Sequence, residues 1–306
     1  MSFSDDVRAE LAGIAPAREC DRLAELSALF HFAGRLHLLG RGEVSLHLDL
    51  SSSAAARRSF SLLRSFGVRS EIRTYQRHAF GRETRYQLHV EGGPAVLGLL
   101  ERAGVVDARF RPRDRPPKRV VARSCCRSAY VRGALLAAGS VSPPPSPHLE
   151  VRSESREGAE SVAAAASAEG GELRVAGRAD HSLAYVKGID RIAGVLAAAG
   201  ASEAALALQE RAVVGSTRAR ANRLANADHA NLVRAGRAAH AQLKAVRRLA
   251  REGCLEELSP PLREIADLRL KHPSLSLREL GEKCDPPVTK ASAHRRLRTI
   301  ERFARR

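Results

Sequence analysis

Apolar positions recur along this chain with two different periods, and each switch of period marks a boundary between elements. Ser4, Asp5 and Asp6 read as the capped, acidic start of a first helix. Leu23, Leu26, Phe30 and Ala33 keep helical spacing from a start near Asp21, with Gly40 and Gly42 as the expected stop. Val44, Leu46, Leu48 and Leu50 then alternate with Ser45, His47 and Asp49, the signature of a half-buried strand. Ser51, Ser52 and Ser53 open another helix carrying Phe60, Leu63 and Phe66, which Gly67 closes. Two strands, 68–75 and 84–90, and a helix, 94–103, complete the first series. A second series follows in the same order: helix 129–138, strand 148–152, helix 158–168, strands 172–175 and 182–186, and helix 190–199. Both series predict α-β-α-β-β-α. From residue 221 the pattern is helical only: 222–251 ended by Gly253, 261–271, a short helix capped by Ser276, a break at Asp285-Pro286-Pro287, and 288–305.

The two series share residues as well as order. Val90-Glu91-Gly92, Val96, Gly98-Leu99-Leu100 and Ala103-Gly104-Val105 return 96 positions later as Val186-Lys187-Gly188, Ile192, Gly194-Val195-Leu196 and Ala199-Gly200-Ala201. Leu29 to Gly34 likewise parallels Ala134 to Gly139. A duplicated unit predicts two subdomains about a pseudo-twofold axis, a symmetry suited to a roughly twofold ligand such as duplex DNA.

Length and charge narrow the possibilities. The 306 residues allow two or three modest domains, and 44% apolar content supports a folded core. With no Trp, 4 Tyr and 8 Phe, that core must be aliphatic and alanine-rich. The net charge of +17 is unevenly placed. Residues 218–306 hold 21 Lys and Arg against 10 Asp and Glu, and residues 109–123 hold 7 against 1. These segments carry the whole excess, as expected for phosphate contact; a solvated, arginine-biased surface is the alternative. The expected divisions are 1–108, a first repeat with its N-terminal helix; 109–123, a basic Pro/Arg linker; 124–217, a second repeat; and 218–306, a long helix with a DNA-binding domain. Val141 to Pro147 read as a rigid surface loop inside the second repeat. Five cysteines show no C-x-x-C spacing and no His placed to complete a zinc site, so no metal site is expected. Their odd number and the acidic N-terminal segment predict reduced cytosolic thiols and no secretory leader. No apolar run reaches the ~18 residues of a membrane span.

The last three helices carry the sharper functional signal. A short helix, a tight turn and a basic helix form the helix-turn-helix pattern. In the final helix Ala293, Leu297 and Ile300 share one face, whereas Ala291, Arg295, Arg298 and Arg302 point the opposite way. Such a division locks a recognition helix to its domain and leaves the other face for the major groove. Thr289, Lys290, Ser292, His294, Arg295, Arg296 and Arg298 are the residues expected to touch DNA. Arg near the helix start suits guanine edges, and later residues suit phosphates.

The repeats have a separate signal. Ala28, Ala33 and Gly34, and Gly133, Ala134, Ala137, Ala138 and Gly139, are small residues on a helix, which let two helix backbones approach closely. Two such helices on a pseudo-twofold axis, each with a small sheet beside it, resemble the LAGLIDADG homing-endonuclease fold. In that family an acid one position before the final Gly holds the metal that activates water. Here those positions are Ala33 and Ala138, and Asp21 and Glu25 lie at least two turns back. The resemblance therefore implies the scaffold without nuclease chemistry.

Taken whole, the chain resembles the WhiA family of bacterial sporulation and cell-division regulators. The likeness rests on Ser2-Phe3-Ser4, Val131-Arg132-Gly133-Ala134-Leu135, Ala138-Gly139-Ser140-Val141, His148-Leu149-Glu150, Asn222-Arg223-Leu224-Ala225-Asn226 and Asp228-His229-Ala230-Asn231. It continues through Leu262 to Ala266, Leu277 to Gly281 and His294 to Arg298. The resemblance implies an α+β fold, a two-repeat LAGLIDADG-like domain followed by an all-α helix-turn-helix domain. It further implies a non-enzymatic, cytoplasmic, nucleoid-associated protein without a cofactor. Such a protein binds promoter DNA, controls division, chromosome segregation and sporulation genes, and in actinobacteria works with a WhiB-type iron–sulfur regulator. Two other readings stay open on sequence: a divergent metal-dependent endonuclease, and a protein-interaction platform with secondary DNA binding.

Overall fold

A capping box starts the first helix, α1 (Phe3–Gly13): Ser2 Oγ accepts from Asp5 N, and the Asp5 carboxylate accepts from Ser2 N. The cap is therefore Ser2, two residues before the expected Ser4. The Ser4 hydroxyl instead donates to Val141 O at 2.9 Å and accepts from Val141 N at 2.7 Å, tying α1 to the second repeat. The computed structural model describes residues 2–40, 43–77 and 83–305. Contacts divide the chain into two units, Met1–Ser216 and Thr217–Arg306.

Two helices form the centre of the first unit, α2 (Glu19–Ala33) and α5 (Ser124–Ala138). α2 buries Ala24, Leu26, Ala28, Leu29 and Phe30; α5 buries a nearly continuous run from Ala129 to Ala137, as a helix covered on all sides must. Each ends on a glycine that turns the chain directly into a strand. Gly34 sits at φ −78°, ψ 144° and Gly139 at φ −79°, ψ 143°, so the two ends superpose as the internal symmetry requires. A Cβ on either would strike the carbonyl oxygen four residues back, on Phe30 or Leu135.

This turn corrects the expected end of the first long helix. The chain leaves the helix at Gly34 rather than at Gly40, and the other expected stop, Gly42, lies outside the described residues. Residues 34–40 form a strand, β1 (Gly34–Gly40). The second repeat has the counterpart β5 (Gly139–Ser142), also unread from sequence because four residues establish no period. Each repeat is thus α-β-β-α-β-β-α.

The first sheet adds β2 (Glu43–Leu50), β3 (Ser70–Arg77) and β4 (Glu83–Glu91), antiparallel in the order β1-β2-β4-β3. Leu46 stands opposite Leu36 and Val90, and Leu48 opposite Leu88, so the alternating leucines face the core together. The second sheet contains β6 (His148–Ser153), β7 (Arg174–Gly177) and β8 (Ser182–Lys187) in the matching order β5-β6-β8-β7. α3 (Ser53–Ser65) and α4 (Pro94–Arg102) complete the first repeat, and α6 (Arg156–Ser167) and α7 (Ile189–Ala199) the second.

Two further expectations are revised. The segment expected as a linker, 109–123, is fastened to the first unit. Val106 bridges Pro112, Arg113 N donates to Val105 O at 2.9 Å, and a 3-10 turn at Lys118–Val121 buries Val120. The long helix, expected from residue 222, begins much earlier as α8 (Ser202–Arg251), a span of 50 residues. Ala204, Ala205 and Leu208 bury its first turns in the core of the first unit, and Glu10 accepts from the free amides of Glu203 and Ala204. Among the described residues no helix is long and apolar enough to cross a membrane.

Candidate nucleic-acid interface

The second unit is built from the end of α8 and three short helices, α9 (Pro260–Lys271), α10 (Leu277–Glu282) and α11 (Lys290–Phe303). Val246, Leu249, Leu258, Ile265, Ala266, Leu280, Cys284, Ala293, Leu297 and Ile300 form its core. α10 starts with a capping box in which Ser276 Oγ accepts from Glu279 N and the Glu279 carboxylate accepts from Ser276 N at 2.8 Å. The turn between α9 and α10 closes around Arg269, which is only 1% exposed. Its guanidinium donates to Leu275 O at 2.7 Å and to Gln242 Oε1 at 2.8 Å, and burial lowers its pKa. Among the described residues no carboxylate pairs with it; neutral oxygens hold the charge in place.

α11 divides into two faces as its spacing predicts. Ala293, Leu297 and Ile300 are buried, and Lys290, Ala291, His294, Arg295, Arg298 and Arg302 are exposed. Thr289, expected at the interface, is the helix cap: its Oγ1 accepts from Ser292 N at 3.3 Å. Ser292 is half-buried beside it. Arg296 is set apart from the exposed cations. Its guanidinium lies 3.4 Å from the Glu264 carboxylate and 3.4 Å from Pro261 O, so it fastens α11 to α9. Thr289, Lys290, His294, Arg295 and Arg298 are therefore the expected residues with open surface.

The buried acids of α2, Asp21 and Glu25, stand away from its Gly34 end. Ala33 and Ala138, one before the terminal glycines, are half-buried methyl groups and offer no ligand. Glu25, fully buried, lies between α2, α3 and α5. It accepts from Arg58 Nε at 2.6 Å and Nη2 at 3.0 Å, and from Arg132 Nε at 3.0 Å. One carboxylate thus clasps an arginine from each repeat. Opposite it, Gly133 lets the helices meet, since a Cβ there would press on the Glu25 carbonyl and stand 2.9 Å from Ala28 Cβ.

Among the described residues one group of three or more His, Cys, Asp or Glu side chains is gathered closely enough to hold a metal ion: Cys20, Asp21, Cys125 and Cys126. It sits at the opposite end of α2 and α5 from Ala33 and Ala138. Burial, with the neighbouring Cys20 and Cys125 thiols, pushes the Cys126 thiol up to about 12. Linear spacing in the sequence had given no hint of this group.

Known proteins match this arrangement from end to end. Residues 19–106 match the WhiA N-terminal LAGLIDADG-like domain, residues 127–218 the WhiA LAGLIDADG-like domain, and residues 221–304 the WhiA C-terminal HTH domain. A probable cell division protein WhiA of Symbiobacterium thermophilum is 38% identical over 308 residues, spanning 99% of this chain and 98% of the relative. The corresponding Streptomyces avermitilis protein is 37% identical over 311 residues, spanning 98% and 91%. Among solved structures, full-length DUF199/WhiA from Thermatoga maritima shares the fold, with a TM-score of 0.58 at 21% identity over 100% of this chain and 98% of that one.

Proposed function

The chain belongs to the WhiA family, and from that premise we propose that it is a sequence-specific DNA-binding regulator of cell division that reads promoters through α11. The observation that carries this reading is the division of α11. A buried stripe fixes the helix while Lys290, His294, Arg295 and Arg298 stand free on the other side. Arg295 lies nearest the centre of the open face and suits guanine O6 and N7; Arg298, one turn on, suits phosphate. Chromosome segregation and sporulation genes are the targets the family suggests, the nucleoid is the expected location, and a WhiB-type regulator is the expected protein partner.

The repeat domain in this reading is a scaffold and not a nuclease, because Ala33 and Ala138 stand where the metal-holding acids belong. Supercoiled plasmid incubated with the pure protein and Mg²⁺ should remain supercoiled; reproducible nicking would restore the endonuclease reading. DNA recognition is tested by fluorescence anisotropy on a duplex from a mapped binding site. Arg295→Ala should weaken binding by about 1–3 kcal/mol and relax specificity, and adding Arg298→Ala should weaken it further on all sequences alike. Unchanged affinity would remove α11 from the interface.

A further inference from the structure

The internal symmetry that superposes the two central helices also brings their first turns together. Cys20 and Asp21 are the second and third residues of α2; Cys125 and Cys126 are the second and third residues of α5. The offset between the pairs is 105 residues, the same as between Gly34 and Gly139. Each repeat therefore delivers two donor side chains to one point, and three of the four are thiols.

We propose that Cys20, Asp21, Cys125 and Cys126 bind one zinc ion, which clips the two repeats together at the N-terminal ends of α2 and α5. All four donor atoms lie within 4.8 Å of one another. Around tetrahedral zinc, bonds of about 2.3 Å to sulfur and 2.0–2.2 Å to oxygen give a sulfur–sulfur edge of about 3.8 Å and a sulfur–oxygen edge of about 3.5 Å. The Cys125 and Cys126 Sγ atoms are 3.9 Å apart, and Cys20 Sγ is 3.4 Å from Asp21 Oδ1. These two measured edges match one ion, the remaining separations, none above 4.8 Å, need to close by little more than about 1 Å, and a polynuclear cluster would need its ligands farther apart.

The surroundings favour the ion for a second reason. Asp21 is 9% exposed, its carboxylate accepts from the Cys20 thiol, and the Arg18 charge acts on it from beyond salt-bridge distance. A divalent cation at the thiols would compensate this largely buried negative charge directly. Three thiolates and a carboxylate around Zn²⁺ leave two negative charges. The N-terminal ends of two 15-residue helices face that charge, and Arg18 Nη1 stands 3.7 Å from Cys125 Sγ. On binding, the three thiol protons leave to solvent as the metal–sulfur bonds form. Sulfur-rich donors select zinc over magnesium or calcium, so the site is unrelated to the ion of a LAGLIDADG nuclease.

The test uses the full-length protein, reduced and dialysed against metal-free buffer, then titrated with Zn²⁺ or Co²⁺. One Zn²⁺ per chain should be retained, and Co²⁺ should give thiolate charge-transfer absorption with intense tetrahedral ligand-field bands. Cys20→Ser and Cys125→Ser should each weaken Zn²⁺ binding at least ~100-fold, beyond what loss of an outer-shell partner does, whereas Cys254→Ser should leave it unchanged. Should a variant misfold, the unaltered protein still decides the matter: bound Zn²⁺ should protect Cys20 and Cys125 from alkylation, read by mass spectrometry of the peptides. The proposal is overturned by absence of retained Zn²⁺ and of Co²⁺–thiolate absorption. Equal metal content in the Cys20→Ser and Cys125→Ser proteins, or alkylation indifferent to Zn²⁺, would overturn it as well.

Discussion

Removing the Glu25 carboxylate tests whether this buried acid of α2 clasps the repeats together. Glu25→Ala deletes three hydrogen bonds, from Arg58 at 2.6 and 3.0 Å and from Arg132 at 3.0 Å. The two guanidiniums, 8% and 6% exposed by residue, are then left charged and buried. Arg132 keeps one contact, to Ala199 O at 3.3 Å, and Arg58 keeps none among the described hydrogen bonds. Breaking a buried charge cluster from one side costs about 3–5 kcal/mol. With a urea dependence of about 2–3 kcal/mol per molar, the midpoint should fall by roughly 1–2 M. The chain has no Trp, so circular dichroism is the appropriate probe. Replacing all three partners together, Glu25→Met with Arg58→Leu and Arg132→Met, should recover most of the loss, because the stranded charges leave with the acid. A midpoint shift for Glu25→Ala within about 0.3 M, or a triple replacement no better than the single one, would refute the reasoning.

Three other outcomes follow from the same geometry. Gly133→Ala should destabilise the first unit, since its Cβ meets Ala28 Cβ at 2.9 Å, whereas Gly98→Ala, with nothing within 4 Å, should stabilise by about 0.5–1 kcal/mol in thermal melts. His31 is half-buried, its Nδ1 donates to Ser27 O at 2.7 Å, and its Nε2 is shut off from solvent. Burial lowers its pKa against the opposing pulls of the Ser27 carbonyl, Asp114 and the Arg113 carbonyl, so the unfolded chain takes up the proton first. Its contribution is present above the ordinary His value of about 6.5 and is lost as pH falls below it; His31→Leu should flatten that part of the stability profile. DNA binding should weaken steeply with salt. If Lys290, Arg298 and Arg302 each neutralise a phosphate, they contribute a slope of about −2.7 in log–log form, and removing Arg298 should reduce it by roughly 0.9.

The sequence disclosed the parts of this molecule that repeat or alternate. The leucines of β2 and the stripe Ala293, Leu297, Ile300 are visible because their periods persist over several residues. β1 and β5 escaped because each follows its helix without a loop, through Gly34 and Gly139, and the apolar residues beyond look like more helix. The start of α8 was hidden because its first turns, through Leu208, are buried and the turns from 209 to 241 are mostly exposed, so no single face runs through it. Arg296 was expected beside Arg295, yet it lies only about 60° around the helix from Ala293, close enough to the buried stripe to reach Glu264. The Glu25 clasp and the Cys20–Asp21–Cys125–Cys126 group depend on helices about a hundred residues apart, and linear motifs do not register such meetings. The offset relating Gly34 to Gly139 was the available signal, for it aligns Cys20 with Cys125.

Genome-wide mapping of bound sites, comparing the unaltered chain with the Arg295→Ala, Arg298→Ala protein in the same cells, bears most directly on the role of α11. Discrete promoter peaks sharing one sequence motif are expected for the unaltered chain, with those peaks lost from the altered protein at equal abundance. The same peaks persisting without the two arginines, or occupancy with no shared motif, would contradict recognition through this helix.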